Sequence, residues 1–326
     1  MVYAFGAYGT NNLGDDAIFL GLQKSLPNER VVQVYVNYPS IMDSICYDSI
    51  NATTFIDKDH LVIGGGGLLH CKHAVEDYIR IAKLAKANGA QVHIRRIGAE
   101  GAIPEYAEEI RELFSIVDAA SVRSKKSLEY LKDCNVSTKT IKLVQDYAYE
   151  LVPPKHKVEG IKSYFQHPEW PLIGLVTAGN KGGVEAISYV VSELILAEIG
   201  CNIIHIPHSR SYVNQNNDDL ITGEQIWTSI GVYHANKQWR YKTSTMPQNP
   251  YELFDRYAQV DGIIGYRYHS FIFSRIMKKP LLGVADGDKA KAFFDETKYG
   301  TMVSSGVSKE ELLLACKEFV LGLKKI

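Results

Sequence analysis

The sequence predicts an α/β protein built as two doubly wound parallel sheets, one after the other along the chain. Three observations carry this. Short apolar runs alternate with amphipathic stretches from end to end, the pattern of parallel βαβ units covered on both faces. The chain has 326 residues, which suits two domains of roughly 100–200 residues each. Pro153-Pro154 interrupts the pattern near the middle, where paired prolines fit neither a helix nor a central strand.

The first domain is assigned to residues 1–152. Strands are predicted over Tyr3–Phe5, Arg30–Val36, Leu61–Ile63, Gln91–Ile94, Ala119–Val122 and Ile141–Val144. Helices are predicted over Asp15–Leu26, Ala74–Ala87, Glu105–Phe114 and Lys125–Leu131. The second domain is assigned to residues 157–326. Its predicted strands are Pro171–Thr177, Asn202–Ile206, Gly231–His234, Gly262–Gly265 and Pro280–Val284. Its predicted helices are Ala186–Ile199, Pro250–Tyr257, Ser270–Met277 and Ser308–Leu323. The last opens Ser-Lys-Glu-Glu, a capping residue followed by acidic first-turn residues. The polar stretch Ser209–Asp219 reads as a surface loop leading to a helix.

Composition removes several classes. Hydrophobic residues make up 46% and charged residues 22%, ordinary for a globular chain and unlike a disordered one. Thirty-six basic and 37 acidic residues leave a formal charge of −1. No nucleic-acid partner is expected, because such binding rests on net neutralisation of phosphates. Five cysteines, at 46, 71, 134, 201 and 316, are odd in number and lack C-x-x-C spacing. A disulfide framework and a structural zinc site are therefore not expected, and reduced thiols point to a cytoplasmic setting. His70, Cys71 and His73 lack further ligands nearby in sequence, so no metal is assigned. The opening Met1–Gly6 has no basic region ahead of an apolar stretch, and no apolar run reaches 18 residues. Neither a signal peptide nor a transmembrane helix is predicted.

Chemistry-bearing residues gather where strands end and helices begin. Gly6-Ala7-Tyr8-Gly9-Thr10-Asn11-Asn12-Leu13-Gly14 follows the first strand. Its glycines admit close backbone approach, and the helix start after it offers free N–H donors to an anion. It matches neither G-x-G-x-x-G nor a P-loop, and Asp15 and Asp16 would repel a phosphate. An ordinary βα loop with Asp15 as cap accounts for it equally well. Gly64-Gly65-Gly66-Gly67 follows Leu61–Ile63. Four glycines exceed what a turn needs, which suggests a backbone wall facing ligand. Arg267 and His269 stand at the next such junction, in Gly265-Tyr266-Arg267-Tyr268-His269-Ser270. A cation there opposes the helix macrodipole unless an anion lies between them. Arg123, at the start of Ser124–Leu131, carries a weaker form of the same argument. Arg95, Arg96 and Lys181 are further loop cations, and His205 and His208 flank Pro207 in a loop read as facing substrate.

Taken in order, these segments resemble the polysaccharide pyruvyl transferase family. The likeness rests on Gly6–Ala17, Gly64–Leu69, Ile97–Ile103, Ser121–Ser127, Asp146–Tyr149 and Gly265–Phe273. It runs from residue 3 to about 290. Ser124 stands where an acidic residue is common, Tyr268 where leucine is usual, and the second glycine cluster lacks a following Gln-Asp.

The resemblance implies two Rossmann-like domains facing a cleft, a GT-B-like arrangement. It implies transfer of the pyruvyl group of phosphoenolpyruvate to two hydroxyls of a sugar or glycan acceptor, closing a cyclic ketal. No cofactor beyond the phosphoenolpyruvate donor is needed. His269 and Arg267 take the catalytic positions. Arg123, Gly9, Asn12, Gly65, Gly66, Lys181 and Ser270 are assigned to the donor, and His205, His208 and Arg210 to the acceptor. Nothing in the sequence bars a homo-oligomer. Two rival readings share the architecture: a nucleotide-sugar glycosyltransferase, and a carbohydrate-binding protein without catalysis.

Overall fold

The computed structural model describes residues 1–35, 43–99, 104–154, 160–178, 184–196, 199–211 and 217–324. It divides into two compact units, Met1–Leu151 and Val152–Ile326.

Among the described residues the first unit holds seven strands: β1 (Val2–Phe5), β2 (Val31–Tyr35), β3 (Ser44–Cys46), β4 (His60–Gly67), β5 (Gln91–Gly98), β6 (Ala119–Val122) and β7 (Lys142–Leu143). Its α-helices are α1 (Leu13–Ser25), α2 (Lys72–Ala87), α3 (Ala107–Ile116) and α4 (Lys125–Asp133). The sheet order is β3-β2-β1-β4-β5-β6-β7, and every pairing is parallel. Successive strand residues point to opposite faces, and both faces are covered. Tyr3, Phe5, Leu61 and Ile63 join one buried cluster, while Val2, Ala4 and Val62 join another with Ile18, Phe19 and Leu22 of α1. Strands buried on two sides read as continuous apolar runs, which is why this sheet was legible.

The second unit repeats the plan. Its strands are β8 (Leu172–Val176), β9 (Asn202–His205), β10 (Tyr241–Thr243), β11 (Gly262–Gly265), β12 (Leu281–Val284) and β13 (Thr301–Val303). Its α-helices are α5 (Val184–Leu196), α6 (Asp219–His234), α7 (Pro250–Gln259), α8 (Tyr268–Ile276), α9 (Asp288–Thr297) and α10 (Lys309–Leu323). The order β10-β9-β8-β11-β12-β13 is again wholly parallel. In each unit the chain winds outward from its first strand, then crosses to the other side and winds away. That reversal lies between β1 and β4 in the first unit and between β8 and β11 in the second. Ligands of open α/β sheets bind beyond the strand ends at such switch points.

Several elements differ from the sequence reading. Gly231–His234 is not a strand but the end of α6. Thr222, Ile226 and Ile230 are fully buried at i, i+4 spacing, so helical packing overrides the strand preference of Val232 and Tyr233. The outer strand is instead Tyr241–Thr243. The four glycines form no turn; they are the second half of β4, with Gly64, Gly66 and Gly67 paired to Arg95, Ile97 and Gly98 of β5. The α1 cap is Asn12, whose side chain accepts from the Gly14 N–H at 3.1 Å, not Asp15. The Ser308 capping box at the start of α10 is present as read. Among the described residues no helix is long and apolar enough to cross a membrane.

Candidate active site

The switch point of the second unit brings together residues that the sequence spreads over almost a hundred positions. Arg267 ends the connection from β11 and is the N-terminal boundary residue of α8. Its Nε and Nη2 each donate to Asp219, at 2.8 Å to Oδ2 and 2.8 Å to Oδ1. Nη2 also reaches the Asn217 carbonyl and side-chain oxygens at 3.4 and 3.3 Å. Asp219 Oδ2 further accepts the backbone N–H groups of His208 at 2.9 Å and Ser209 at 3.0 Å. The carboxylate is fully buried and the Arg267 side chain is 13% exposed. A carboxylate with this many charge-assisted donors fixes the guanidinium plane.

Local sequence explains how Asp219 arrives there. Asp218 caps α6 by accepting from the N–H groups of Leu220 and Ile221, at 2.9 and 3.3 Å. Asp219 is then the first helical residue and turns toward the sheet end. One turn later Gly223 lets the helix lie close. A methyl group there would stand 2.5 Å from His205 Nδ1 and 3.0 Å from Thr243 Cγ2. The expected loop over Ser209–Asp219 thus ends on a residue, Asp219, that lies outside the sequence-predicted site. Its signal was Asp218 followed by apolar residues at helical spacing, the mark of an N-cap.

The two assigned acceptor histidines do not face outward. His205 is fully buried and His208 is 1% exposed. His205 Nε2 lies 3.0 Å from Thr177 Oγ1, and His208 Nε2 lies 3.0 Å from the Tyr257 hydroxyl. Burial pushes the His205 imidazole down to about 4, with Asp219 opposing and Arg267 adding to the shift. Burial also holds the His208 imidazole well below its ordinary value, helped by Arg267, His269 and His205. Both rings are neutral near pH 7. Both rings are packed inside the second unit, against Thr177 and Tyr257. Arg210, beside them, is exposed.

His269 lies two residues beyond Arg267 in the first turn of α8. It is 7% exposed and packs edge-on against Tyr268, ring centroids 5.6 Å apart. Ser270, assigned to the donor, is fully buried, and its hydroxyl donates to the Arg267 carbonyl at 2.5 Å. It holds the turn that presents Arg267. The predicted conflict between Arg267 and the helix dipole is resolved within the chain by Asp219, so the cation alone does not require a bound anion.

In the first unit the assigned donor residues have internal tasks. The Gly9 N–H donates to Asp16 Oδ1 at 3.2 Å, and burial raises the Asp16 pKa. The Asn12 side chain donates to Asp15 at 2.7 Å while capping α1. Gly65 has φ +74, and a methyl group on it would stand 1.8 Å from Ile18 Cγ2. Glycine at 65 thus lets α1 pack on β4. At Gly66, with φ +80, an added methyl group would stand 3.5 Å from Asp15 Oδ1. Arg123 is fully buried and paired with buried Asp146 at 2.9 Å. Asp146 in turn accepts from the Ala148 N–H at 2.9 Å. The arginine is tied by this pair to the segment that closes the first unit. Lys181 lies outside the described residues. Among the described residues no group of three or more His, Cys, Asp or Glu is placed to hold a metal ion.

Comparison with known proteins follows this geometry. The family model described as polysaccharide pyruvyl transferase matches residues 12–288. Comparison of the sequence with curated proteins gives no match. Among solved structures the chain is similar to S. aureus MnaA bound to UDP, with TM-score 0.66 and 12% identity over 98% of this chain and 87% of that one. It is similar to UDP-GlcNAc 2-epimerase from Neisseria meningitidis bound to UDP-GlcNAc, with TM-score 0.62 and 12% identity over 100% and 94%. It is also similar to Anabaena Alr3699/HepE in complex with UDP and glucose, with TM-score 0.61 and 8% identity over 99% and 93%. At these identities the likeness shows the fold, which is of the GT-B type.

Proposed function

The chain belongs to the polysaccharide pyruvyl transferase family, and on that footing we propose that it moves the pyruvyl group of phosphoenolpyruvate onto two hydroxyls of a sugar, closing a cyclic ketal. The observation that carries the reading is the Asp219-braced Arg267 beside His269 at the start of α8, beyond the end of β11. Phosphoenolpyruvate presents a carboxylate and a phosphate on a small frame. Asp219 occupies Nε and Nη2 of Arg267, which leaves the Nη1 edge for one of these anions. The first N–H groups of α8 supply the second half of an anion site.

The chemistry then requires a proton on the methylene carbon and a base for the attacking hydroxyl. His269 serves both. Its protonated ring delivers a proton to the methylene carbon as a sugar hydroxyl bonds to the enol carbon, and that hydroxyl's proton returns to the ring. The second hydroxyl then bonds to the same carbon as the C–O bond to phosphate breaks, and its proton passes to the departing phosphate. The products are a ketal with a methyl and a carboxylate substituent, and inorganic phosphate. Arg267 stabilises charge on the departing group through a fork that is already oriented before substrate arrives.

Phosphate release from phosphoenolpyruvate tests this against a panel of sugars and sugar oligomers, with wild type beside His269→Ala. Acceptor-dependent release that the substitution removes is the expected result. No release with any acceptor, together with thermal stabilisation by UDP and none by phosphoenolpyruvate, would replace this reading with a nucleotide-sugar enzyme.

A further inference from the structure

The sequence contains three tryptophans, Trp170, Trp227 and Trp239, and all three lie on one side of the second unit. Trp227, on α6, is 49% exposed. Trp227 and Trp239 line an open cavity of about 630 Å³, together with Glu224, Gln238, Lys242 and Thr243. Trp170 stands 6.4 Å from Trp239, ring centroid to ring centroid, and stacks on His167 at 4.0 Å. Arg240 lies over its ring at 4.6 Å. Large indole rings left half in water are unusual, since indole gains most when its face is covered.

The cavity is built rather than incidental. Gln238 donates to the Trp227 carbonyl at 2.9 Å, tying the segment after α6 back to the helix. The Trp239 indole N–H donates to the Asn236 carbonyl at 3.0 Å, which fixes the ring. The Tyr241 hydroxyl donates to the Gly223 carbonyl at 3.2 Å and anchors β10 below. One acid, one lysine and one amide surround the aromatic surface, so the lining is close to neutral and offers both donors and acceptors.

From this we infer that the Trp227–Trp239 cavity is a binding subsite for a neutral glycan chain, separate from the Arg267 and His269 centre. A sugar ring has one apolar C–H face and a rim of hydroxyls. The C–H face covers an indole, and the rim meets Glu224, Gln238 and Lys242. A charged or wholly apolar ligand would satisfy only half of this lining. The subsite deepens the proposed transfer by extending the acceptor's grip, and its occupancy does not depend on that reaction. Its helix is the one that places Asp219. Trp227 lies eight residues along α6 from Asp219, about 12 Å at the helical rise. A polymeric acceptor held there keeps its other units at high effective concentration near the second unit's switch point.

Intrinsic fluorescence reads this surface alone, because the chain has no tryptophan elsewhere. The test titrates wild type, Trp227→Ala, Trp227→Phe and His269→Ala with cellohexaose, maltohexaose and chitohexaose. Each variant is first checked for an unchanged thermal transition. The inference expects a saturable fluorescence change with at least one hexasaccharide. Trp227→Ala should weaken that binding about tenfold or more, Trp227→Phe should recover part of it, and His269→Ala should bind as wild type does. No phosphate release by the wild type with any acceptor, beside a retained titration, would overturn the transfer and leave the subsite standing. No titration by any of the three glycans, or equal affinity in wild type and Trp227→Ala, would overturn the subsite.

Discussion

Arg267 meets Asp219 through two parallel hydrogen bonds of 2.8 Å, and the same carboxylate takes the backbone N–H groups of His208 and Ser209. One buried group thereby locks the end of β9, the start of α6 and the residue ahead of α8. Replacing Asp219 by Asn keeps the volume and turns an acceptor into a donor facing two N–H groups. We expect a stability loss of about 3 kcal/mol or more, since breaking a buried pair leaves an uncompensated charge. Turnover should fall about a hundredfold from the misplaced guanidinium. Urea melts and phosphate release measure the two effects. Wild-type turnover in a folded Asp219→Asn protein would contradict the bracing role.

Arg123 and Asp146 make a second buried pair, with 0% and 2% of their side chains exposed. If the pair serves the fold, Arg123→Met should cost about 3–5 kcal/mol, and Arg123→Met with Asp146→Leu should recover most of it. The Michaelis constant for phosphoenolpyruvate should stay near wild type in the double variant. A large rise there, in a protein of restored stability, would return Arg123 to the donor.

Gly65 tests why β4 ends in glycines. A methyl group at 65 would stand 1.8 Å from Ile18 Cγ2, on a residue with φ +74. Gly65→Ala should destabilise by about 2–5 kcal/mol through overpacking and backbone strain. Adding Ile18→Ala should relieve the overlap and leave the strain. An unchanged urea midpoint in Gly65→Ala would refute the packing account.

Acid should weaken the fold through its buried histidines. His205 and His93 are each lowered from 6.5 to about 4, with burial the largest cause in both. Between those values the unfolded chain binds more protons than the folded one, so stability falls as pH drops through the window and is regained as pH rises. Thermal melts from pH 7 to pH 4 should show a steadily falling Tm, and His93→Gln should flatten part of the slope. A level profile would show that neither ring resists protonation.

The parallel sheets were legible because their strands are buried on both faces, as Phe5, Ile63, Ile173 and Ile263 show. Arg267 and His269 were legible because they stand where a strand end meets a helix start. Asp219 was not, because its polar neighbours resemble a loop and its role depends on Gly223 bringing α6 against β9. The burial of His205 and His208 is hidden in the sequence for the same reason: exposure of an imidazole is decided by the helix laid over it. The short outer strand β13 is not legible, since three exposed or half-buried residues carry little periodicity. Arg123 was found as a site residue, yet its partner Asp146 was read only as part of a closing motif.

The most direct test of the proposed transfer follows the carbon rather than the phosphate. Phosphoenolpyruvate isotope-labelled at its enol carbon is incubated with the enzyme and the acceptor that best supports phosphate release. Carbon NMR of the product should show the label as a quaternary ketal carbon bonded to two sugar oxygens, absent with His269→Ala. Label recovered wholly as free pyruvate, or left in unreacted phosphoenolpyruvate, would contradict the transfer.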